Sequence, residues 1–319
     1  MKAIGGYFEI EETGTGVFPH EHGILLNTGR NALEYILRSL PDVNMVYLPY
    51  YTCEVVLEPI KKLALNYSFY HINENFEIAE DISLGQGEYL IANNYYGIKD
   101  SYIRRLAEYY GDRLIVDSSQ AFFAPVLPDI KMFYSARKFV GVPDGGIAYG
   151  VDAELSIRLQ QDNSVTRTEH LYTRRDKGAE AGFTSYQANE KKLDGQPILK
   201  MSEFTKKILF NIDYQTIRQK RWENFKFLHK ALQELNLLRL PIDEQSACPM
   251  IYPFCSNSLF LRDTLIKNKV FVAKYWPNVD GWCRGDDLEY VLSNHIIPLP
   301  IDQRNGKNDM ERIINLIID

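Results

Sequence analysis

LIVDSSQ (residues 114–120) and KMFYSARKFVGVPDGG (residues 131–146) each run from a short apolar segment into polar and glycine-containing residues. Such brief, densely apolar segments are typical of parallel strands that are buried on both faces. In an open sheet of such strands, ligands bind beyond the carboxyl ends of the strands. Asp117 and Lys138 follow the two apolar segments at that position, so both side chains are candidates for a binding or catalytic site.

The residues on either side repeat this alternation of apolar and amphipathic segments. Apolar segments at 45–48, 89–92 and 147–149 predict further strands, and segments of helical period at 30–40 and 100–110 predict crossover helices. Strands that alternate with helices indicate an α/β fold with a parallel sheet. We therefore predict a mostly parallel central sheet with helices packed on it.

The sequence becomes more polar and charged after residue 152. We expect loops and surface helices there, and a solvated loop around Arg174, Arg175 and Lys177, a cluster that also has the charge to meet a substrate diphosphate. Residues 202–238 predict one or two long helices. The remaining chain mixes predicted strands at 250–254 and 270–273 with predicted helices at 258–267, 286–293 and 309–318. The predicted division is a large α/β domain at 1–210 and a small α+β domain at 211–319.

Composition excludes several classes of function. The 36 Lys and Arg residues against 42 Asp and Glu residues give a net charge of −6, which argues against a broad basic face for nucleic acid or anionic lipid. No apolar run approaches the roughly 18 residues of a membrane span. The four cysteines form no C-x-x-C pair, and His20 and His22 lack a third ligand, so no metal site is predicted. We predict a cytoplasmic protein without nucleic-acid or membrane partners.

Four features of the first half each have a structural explanation beside a functional one. The segment TGR (28–30) opens a predicted helix either as an anion-binding corner or as a simple helix cap. Asp117 ends its strand either as a ligand-binding carboxylate or as a turn former. Lys138 is either a desolvated amine suited to imine formation or a charged residue of a surface loop. The aromatic residues within 49–53 either stack on a planar ligand or cover the sheet edge.

The combination of these features is more specific than any one of them. An anion-binding corner, planar side chains, a strand-end carboxylate and a lysine follow one another at the ends of successive strands. Pyridoxal phosphate needs an anchor for its phosphate, a sandwich for its ring, an acid beside its pyridinium nitrogen and an amine that holds its aldehyde as an imine. We therefore predict pyridoxal 5'-phosphate as the cofactor.

Several short segments carry a family resemblance. They are TGRNAL (28–33), YLPYYTCEVVLEPI (47–60), NNYYGI (93–98), IVDSSQAF (115–122), YSARKFVGVPDGG (134–146) and, more loosely, YWP (275–277) and PLPIDQR (298–304). In these segments the chain resembles the DegT/DnrJ/EryC1/StrS family of pyridoxal-phosphate-dependent aminotransferases. The resemblance implies a fold-type-I transferase whose central sheet is sandwiched by helices, with a smaller α+β C-terminal domain. It also implies transfer of an amino group from an amino acid, expected to be glutamate, to a keto-sugar or a nucleotide-linked keto-sugar.

The resemblance also implies roles for single residues by their position. Lys138 forms the Schiff base and shuttles the proton, Asp117 keeps the pyridinium nitrogen protonated, and Gln120 hydrogen-bonds the phenolate oxygen of the ring. The implied phosphate ligands are Ser135, Thr28, Gly29 and Arg30. The two residues that lie where the family has a stacking aromatic are Tyr51 and Cys53, and the closest match falls on Cys53.

The resemblance also bears on how the chain assembles and on which other functions remain open. Family members are usually homodimers, and we extend that expectation to this chain. The G-x-N-x-R segment through which a neighbouring subunit reaches the phosphate has no clear counterpart near 182–192, so either Tyr186 or Asn189 replaces it or the site is completed differently. The alternatives are an inactive cofactor- or sugar-binding module, a partner protein of the same fold, or a pyridoxal-phosphate-dependent lyase or dehydratase. Family dehydratases carry His in place of the lysine, so Lys138 favours transamination.

Overall fold

A seven-stranded sheet forms the centre of the structure. The structure is a computed structural model and describes residues 1–240 and 246–318. The described residues contain seven strands of this central sheet and four strands of two smaller sheets. In chain order they are β1 (Ile4–Gly5), β2 (Ile24–Leu26), β3 (Met45–Pro49), β4 (Asn66–Tyr70), β5 (Glu88–Asn93), β6 (Leu114–Ser118), β7 (Lys131–Ser135), β8 (Gly146–Tyr149), β9 (Ile251–Cys255), β10 (Val270–Phe271) and β11 (Ile296–Pro300). The sheet has the order β2-β8-β7-β6-β5-β3-β4, and β8 alone runs antiparallel to its neighbours. The prediction of a mostly parallel central sheet is confirmed.

The strand predicted at 147–149 is present as β8 but is not parallel to the others. Parallel neighbours need a crossover of about a dozen residues or more, usually with a helix. Residues 136–145, which join β7 to β8, hold only one 3-10 turn, at Ala136–Lys138. The chain therefore reverses after β7, and this reversal brings the segment after Lys138 back along the sheet.

The helices are α1 (Gly29–Ser39), α2 (Leu57–Lys62), α3 (Asp100–Tyr110), α4 (Glu154–Ile157), α5 (Glu169–Lys177), α6 (Phe183–Lys192), α7 (Glu203–Leu209), α8 (Tyr214–Leu232), α9 (Leu261–Lys267), α10 (Val279–Trp282), α11 (Leu288–His295) and α12 (Lys307–Ile318). Alternate side chains of a strand point to opposite faces of the sheet. Ile91 and Ile115 accordingly belong to a core with α1 and α2, whereas Leu90 and Val116 belong to a core with α3 and α8. Helices therefore cover both faces of the sheet. None of the helices in the described ranges has the length and apolar character needed to span a membrane.

The C-terminal part of the chain continues the second of these cores. Strand β9 pairs antiparallel with β11, and the N-terminal strand β1 pairs parallel with β10. Of the one or two long helices predicted at 202–238, one is present as α8, and the short helix α7 precedes it. The division into domains at 1–210 and 211–319 stays a prediction, with the first residues of the chain packed beside the C-terminal elements.

Candidate active site

The carboxyl ends of β5, β6 and β7 meet at one edge of the sheet. Asn93 of β5 lies beside Asp117 of β6, and Asp117 lies beside Phe133 of β7. Lys138 ends the 3-10 turn that directly follows β7. Asp117 and Lys138 therefore come from neighbouring strands and lie at the same edge, where ligands of open α/β sheets bind.

Ser119 joins the lysine amine to the carboxylate. Nζ of Lys138 donates to Oγ of Ser119 at 3.0 Å. The backbone N–H of Ser119 donates to Oδ1 of Asp117 at 2.8 Å. Lys138 is half-buried and lines a cavity, so it is not a residue of an exposed surface loop.

Burial determines the protonation behaviour of Asp117. It raises the pKa of the Asp117 carboxyl above its ordinary value, and the charge of Lys138 and the hydrogen bond from Ser119 oppose that rise only in part. Charges interact more strongly in such a desolvated place than in water. The carboxylate is therefore well placed to stabilise a cation, such as a protonated ring nitrogen.

Buried polar atoms without partners mark the same edge of the sheet. Oδ1 of Asn93, Oγ of Ser118 and Nε2 of Gln120 have no hydrogen-bond partner among the described residues. Gln120 accepts at Oε1 from the backbone N–H of Tyr96 at 3.1 Å, so its Nε2 remains a donor. Leaving a buried polar group unpaired costs about 1–3 kcal/mol. A ligand acceptor such as a phenolate oxygen would satisfy Gln120, and in this respect the residues fit pyridoxal phosphate.

The start of α1 lies against the end of β7 and the beginning of β8, where Gly146 allows the close approach. A Cβ added to Gly29 would lie 3.4 Å from Cβ and 3.9 Å from Oγ of Ser135. A Cβ added to Gly146 would lie 2.0 Å from the carbonyl oxygen of Thr28. Oγ1 of Thr28 accepts from the backbone N–H of Asn31 at 3.1 Å, so Thr28 caps the helix. The first backbone N–H groups of a helix have no partner within it, so the capped helix start also forms an anion-binding corner beside Ser135.

Arg30 is engaged elsewhere in this arrangement. Its Nη1 donates to Glu58 at 2.6 Å and to Asp194 at 2.7 Å. The two carboxylates raise the pKa of Arg30 against the opposing effect of burial. The guanidinium expected from the sequence to meet a phosphate is thus paired with two acidic side chains.

Tyr51 and Cys53 occupy different environments. Tyr51 is fully buried, its hydroxyl lies 2.9 Å from that of Tyr96, and its ring packs edge-on against Trp276 with centroids 5.0 Å apart. Cys53 is half-buried. Burial raises the pKa of its thiol, and the charge of Lys138 partly offsets that rise. Of the two residues named for a stacking position, Tyr51 belongs to the core, and Cys53 is half-buried and packs against the same core.

A cavity of about 770 Å³ opens beside Lys138 and Ser135. Its other walls come from distant parts of the chain and include aromatic and guanidinium side chains: Tyr7, Arg137, Arg174, Tyr186, Arg221 and Tyr275. Sequence reasoning did not assign Tyr7, Arg137 or Arg221 to a site. The prediction of a solvated loop around residues 174–177 is wrong, because these residues form the end of α5. Arg174 is buried against Glu9 and the ring of Tyr7.

Comparison with known proteins places this arrangement in a known fold. No family model and no curated protein matches the sequence. A DegT DnrJ EryC1 StrS aminotransferase from Brucella abortus matches with a TM-score of 0.61 at 15% identity, over 94% of this chain and 86% of that one. The chain has the fold of the DegT/DnrJ/EryC1/StrS aminotransferases. DesI in the presence of its TDP-sugar product matches with a TM-score of 0.65 at 16% identity, over 95% of this chain and 81% of that one. Spr1654 from Streptococcus pneumoniae in its PLP-form matches with a TM-score of 0.63 at 16% identity, over 98% and 91%.

Within this aminotransferase fold, α6 occupies the part of the chain where no G-x-N-x-R segment was found. Tyr186 of α6 stacks on Tyr7 with ring centroids 4.7 Å apart, and both line the cavity of Lys138. Glu190 of α6 pairs with Arg137, the neighbour of Lys138. Asn189 is buried and lines a separate small pocket. Within one chain Tyr186 lines the cavity of Lys138 and Asn189 does not, and the suggestion that either residue reaches the phosphate of a neighbouring subunit stays a prediction.

Proposed function

We propose that the chain is a pyridoxal-phosphate-dependent aminotransferase that transfers an amino group from an amino acid, expected to be glutamate, to a keto-sugar or nucleotide-linked keto-sugar. The observation that carries this proposal is the meeting of Lys138, Ser119 and Asp117 at the ends of neighbouring strands, with Lys138 lining a large cavity. The aminotransferase fold supports it, and DesI with its TDP-sugar product supports a sugar acceptor.

Three residues would hold the ring end of the cofactor. When bound, pyridoxal phosphate would supply an electron sink for negative charge at the substrate Cα. The carboxylate of Asp117 would keep the ring nitrogen protonated, and Nε2 of Gln120 would donate to the phenolate oxygen. Nζ of Lys138 would hold the aldehyde carbon and, after the substrate amine takes its place, would accept and return the proton at the substrate Cα. Ser119 would position that amine through its 3.0 Å contact.

The phosphate would bind at the start of α1. Backbone N–H groups at Gly29, the hydroxyl of Thr28 and the hydroxyl of Ser135 are the donors that the close approach of α1 and β7 brings together. A helix start of this kind binds anions through its free N–H groups and its dipole. We propose that Arg30 contributes indirectly by holding α1 against Glu58 and Asp194.

The cavity would receive the amino donor and the acceptor in turn. Its volume of about 770 Å³ lies within the usual range of small-molecule sites, roughly 300–1,000 Å³. The aromatic rings of Tyr7, Tyr186 and Tyr275 would cover the apolar faces of a sugar and keep water away from Lys138. Cys53 would lie against the cofactor ring in place of a stacking aromatic.

We also propose that the enzyme is a cytoplasmic homodimer. Its free cysteines support a reducing compartment, and the family resemblance supports the dimer. Sedimentation equilibrium tests the assembly. A monomer that still binds the cofactor tightly would refute the dimer without affecting the proposed reaction.

The visible absorption spectrum of the purified protein tests the proposed function. We expect a band of protein-bound pyridoxal phosphate that glutamate bleaches, with pyridoxamine phosphate released on denaturation. A stable band that no amino donor changes would favour the inactive binding module. Loss of ammonia from the substrate without formation of pyridoxamine phosphate would favour the lyase.

A further inference from the structure

Unpartnered guanidinium N–H groups gather around the cavity that contains Lys138. Nε of Arg137, Nη1 of Arg174 and Nε of Arg221 are buried and have no hydrogen-bond partner among the described residues. All three side chains line this cavity. Buried N–H groups are rarely left without an acceptor, so the cavity lacks acceptors that a ligand would supply.

Arg221 stands out because no carboxylate contacts its buried guanidinium directly, although the charges of Asp302 and Glu11 act on it from a distance. It is 1% exposed, and its bonds go to the carbonyl oxygens of Met250 at 2.9 Å and Phe139 at 3.2 Å. It forms no ion pair with a carboxylate of the described residues. Asp302, a cavity-lining carboxylate, is paired with Arg304 instead. A buried charge is stabilised most by a counter-ion that also accepts its hydrogen bonds, and Nε of Arg221 has no such acceptor among the described residues, so an anion bound there would supply the missing contact.

The sequence position of Arg221 on α8 indicates that its charge serves a purpose. Ile217, Phe225 and Leu228 lie at helical spacing on the same buried side of α8, where an apolar residue would pack without cost. The guanidinium lies over the ring of Phe139 at 4.7 Å, and Phe139 directly follows Lys138. Because Arg221 and Lys138 line the same cavity, an anion bound to Arg221 would share that cavity with the lysine.

Arg174 supplies the second N–H group. It is 7% exposed, donates from Nε to Glu9 at 2.9 Å and from Nη2 to the carbonyl of Gly5 at 2.7 Å, and retains Nη1. Arg137 also pairs with an acidic residue, Glu190, but it is less suited because its side chain is 19% exposed, against 6% for Arg174, and so has more access to water. Guanidinium groups bind carboxylates and phosphates through paired N–H donors.

We propose that Arg221, assisted by Arg174, forms a subsite for an anionic oxygen group, a carboxylate or a phosphate, of the substrate bound in this cavity. This inference takes its substrates from the proposed function, and it adds that the bound substrate has an anionic group that Arg221 recognises. The anion belongs either to the carboxylate of the amino donor or to a phosphate of the acceptor. It fixes the substrate relative to Lys138 and does not take part in bond making.

Calorimetric titration of the purified protein with glutarate and, separately, with inorganic phosphate tests the subsite. Glutarate stands for the donor and phosphate for the acceptor. We expect binding of at least one probe that weakens about tenfold in Arg221→Met and in Arg174→Met, the loss that one charge-assisted hydrogen bond brings. Arg218→Met and Arg175→Met are matched controls, because each removes one positive charge from the same helix as its counterpart without touching the cavity.

Unfolding in urea without a probe separates binding from a structural role. Arg221→Met leaves the carbonyl oxygens of Met250 and Phe139 without their donor, so its free energy of unfolding without a probe should be lower than that of the wild type. Probe-induced stabilisation should be lost in the same variant. A less stable Arg221→Met that binds both probes as the wild type does would overturn the proposal. If Arg221→Met does not fold, Arg174→Met gives the same binding comparison.

The outcomes distinguish this proposal from the proposed function. Weakened glutarate binding assigns the subsite to the donor, and weakened phosphate binding assigns it to the acceptor. If the protein transaminates but binds neither probe, the result would contradict the proposed subsite and leave the proposed function intact. Arginine-dependent probe binding to a protein that holds no pyridoxal phosphate would support the subsite and contradict the proposed function.

Discussion

Lys138 and Ser119 are joined by a hydrogen bond of 3.0 Å from the lysine Nζ to the serine Oγ. Ser119 also donates its backbone N–H to Asp117 at 2.8 Å, so one residue positions both the amine and the carboxylate. The two groups thus hold a fixed relation before any ligand binds. Positioned groups of this kind reduce the entropic cost of reaching the reactive geometry.

Lys138→Ala should abolish amino transfer and leave the protein folded. The lysine is half-buried and its only hydrogen bond among the described residues is to Ser119, so we expect the free energy of unfolding to change by less than about 1 kcal/mol. Amino transfer is followed by pyridoxamine phosphate formation and stability by urea unfolding. A variant that fails to fold would count against a catalytic role.

Asp117→Asn should reduce amino transfer by about two orders of magnitude, a typical loss when one preorganised electrostatic contact is removed from an active site. The cofactor-free variant should be at least as stable as the wild type at neutral pH. Burial raises the pKa of Asp117, so the carboxyl favours folding below its unfolded pKa and loses that contribution as pH rises through the folded pKa. Urea unfolding without cofactor provides the comparison. Unchanged turnover would remove Asp117 from the site.

Gly29→Ala should weaken pyridoxal phosphate binding by about tenfold or more without destabilising the protein. The added methyl would contact Ser135 at ordinary distance but occupy the anion-binding corner, and alanine is favoured over glycine in a helix by about 1 kcal/mol. Gly146→Ala is the contrast, because its methyl would collide with the Thr28 carbonyl and cost about 1–3 kcal/mol. Titration of the cofactor-free proteins with pyridoxal phosphate measures the affinities. Equal affinities of Gly29→Ala and the wild type for pyridoxal phosphate would contradict the assignment of the phosphate site to the start of α1.

His20 should make the protein sensitive to acid. Burial lowers the pKa of His20 to about 4, against an ordinary value of 6.5. Its contribution is therefore complete above the unfolded pKa and is lost as pH falls towards the folded pKa, by about 2 kcal/mol between about pH 7.5 and pH 5. His20→Gln should show that much less loss of unfolding free energy over this interval, and His22→Gln, at an exposed position, should match the wild type. Identical pH dependence in all three proteins would contradict this account.

The sheet and its carboxyl-end residues could be predicted from sequence because the signals are local. Apolar segments mark the buried strands, and Asp117, Gln120 and Lys138 follow them within a few residues. The direction of β8 could not be read from its own composition. It depends on the length of residues 136–145, which is too short for a parallel crossover.

The far side of the cavity could not be predicted from local signals. Tyr7 and Arg221 reach Lys138 only through tertiary packing of the N-terminal segment and α8. One signal was available for Arg221, because an arginine on the apolar stripe of a helix is unusual. The position of Tyr51 in the core could not be predicted either. An aromatic residue after a strand has the same sequence pattern whether it faces a ligand or the core.

The formation of a covalent link at Lys138 is the central claim, and borohydride reduction of the purified protein followed by peptide mapping tests it most directly. The account predicts a reduced pyridoxyl group on the peptide that contains Lys138. A Lys138 peptide without that group, from a protein that carries the cofactor, would contradict it.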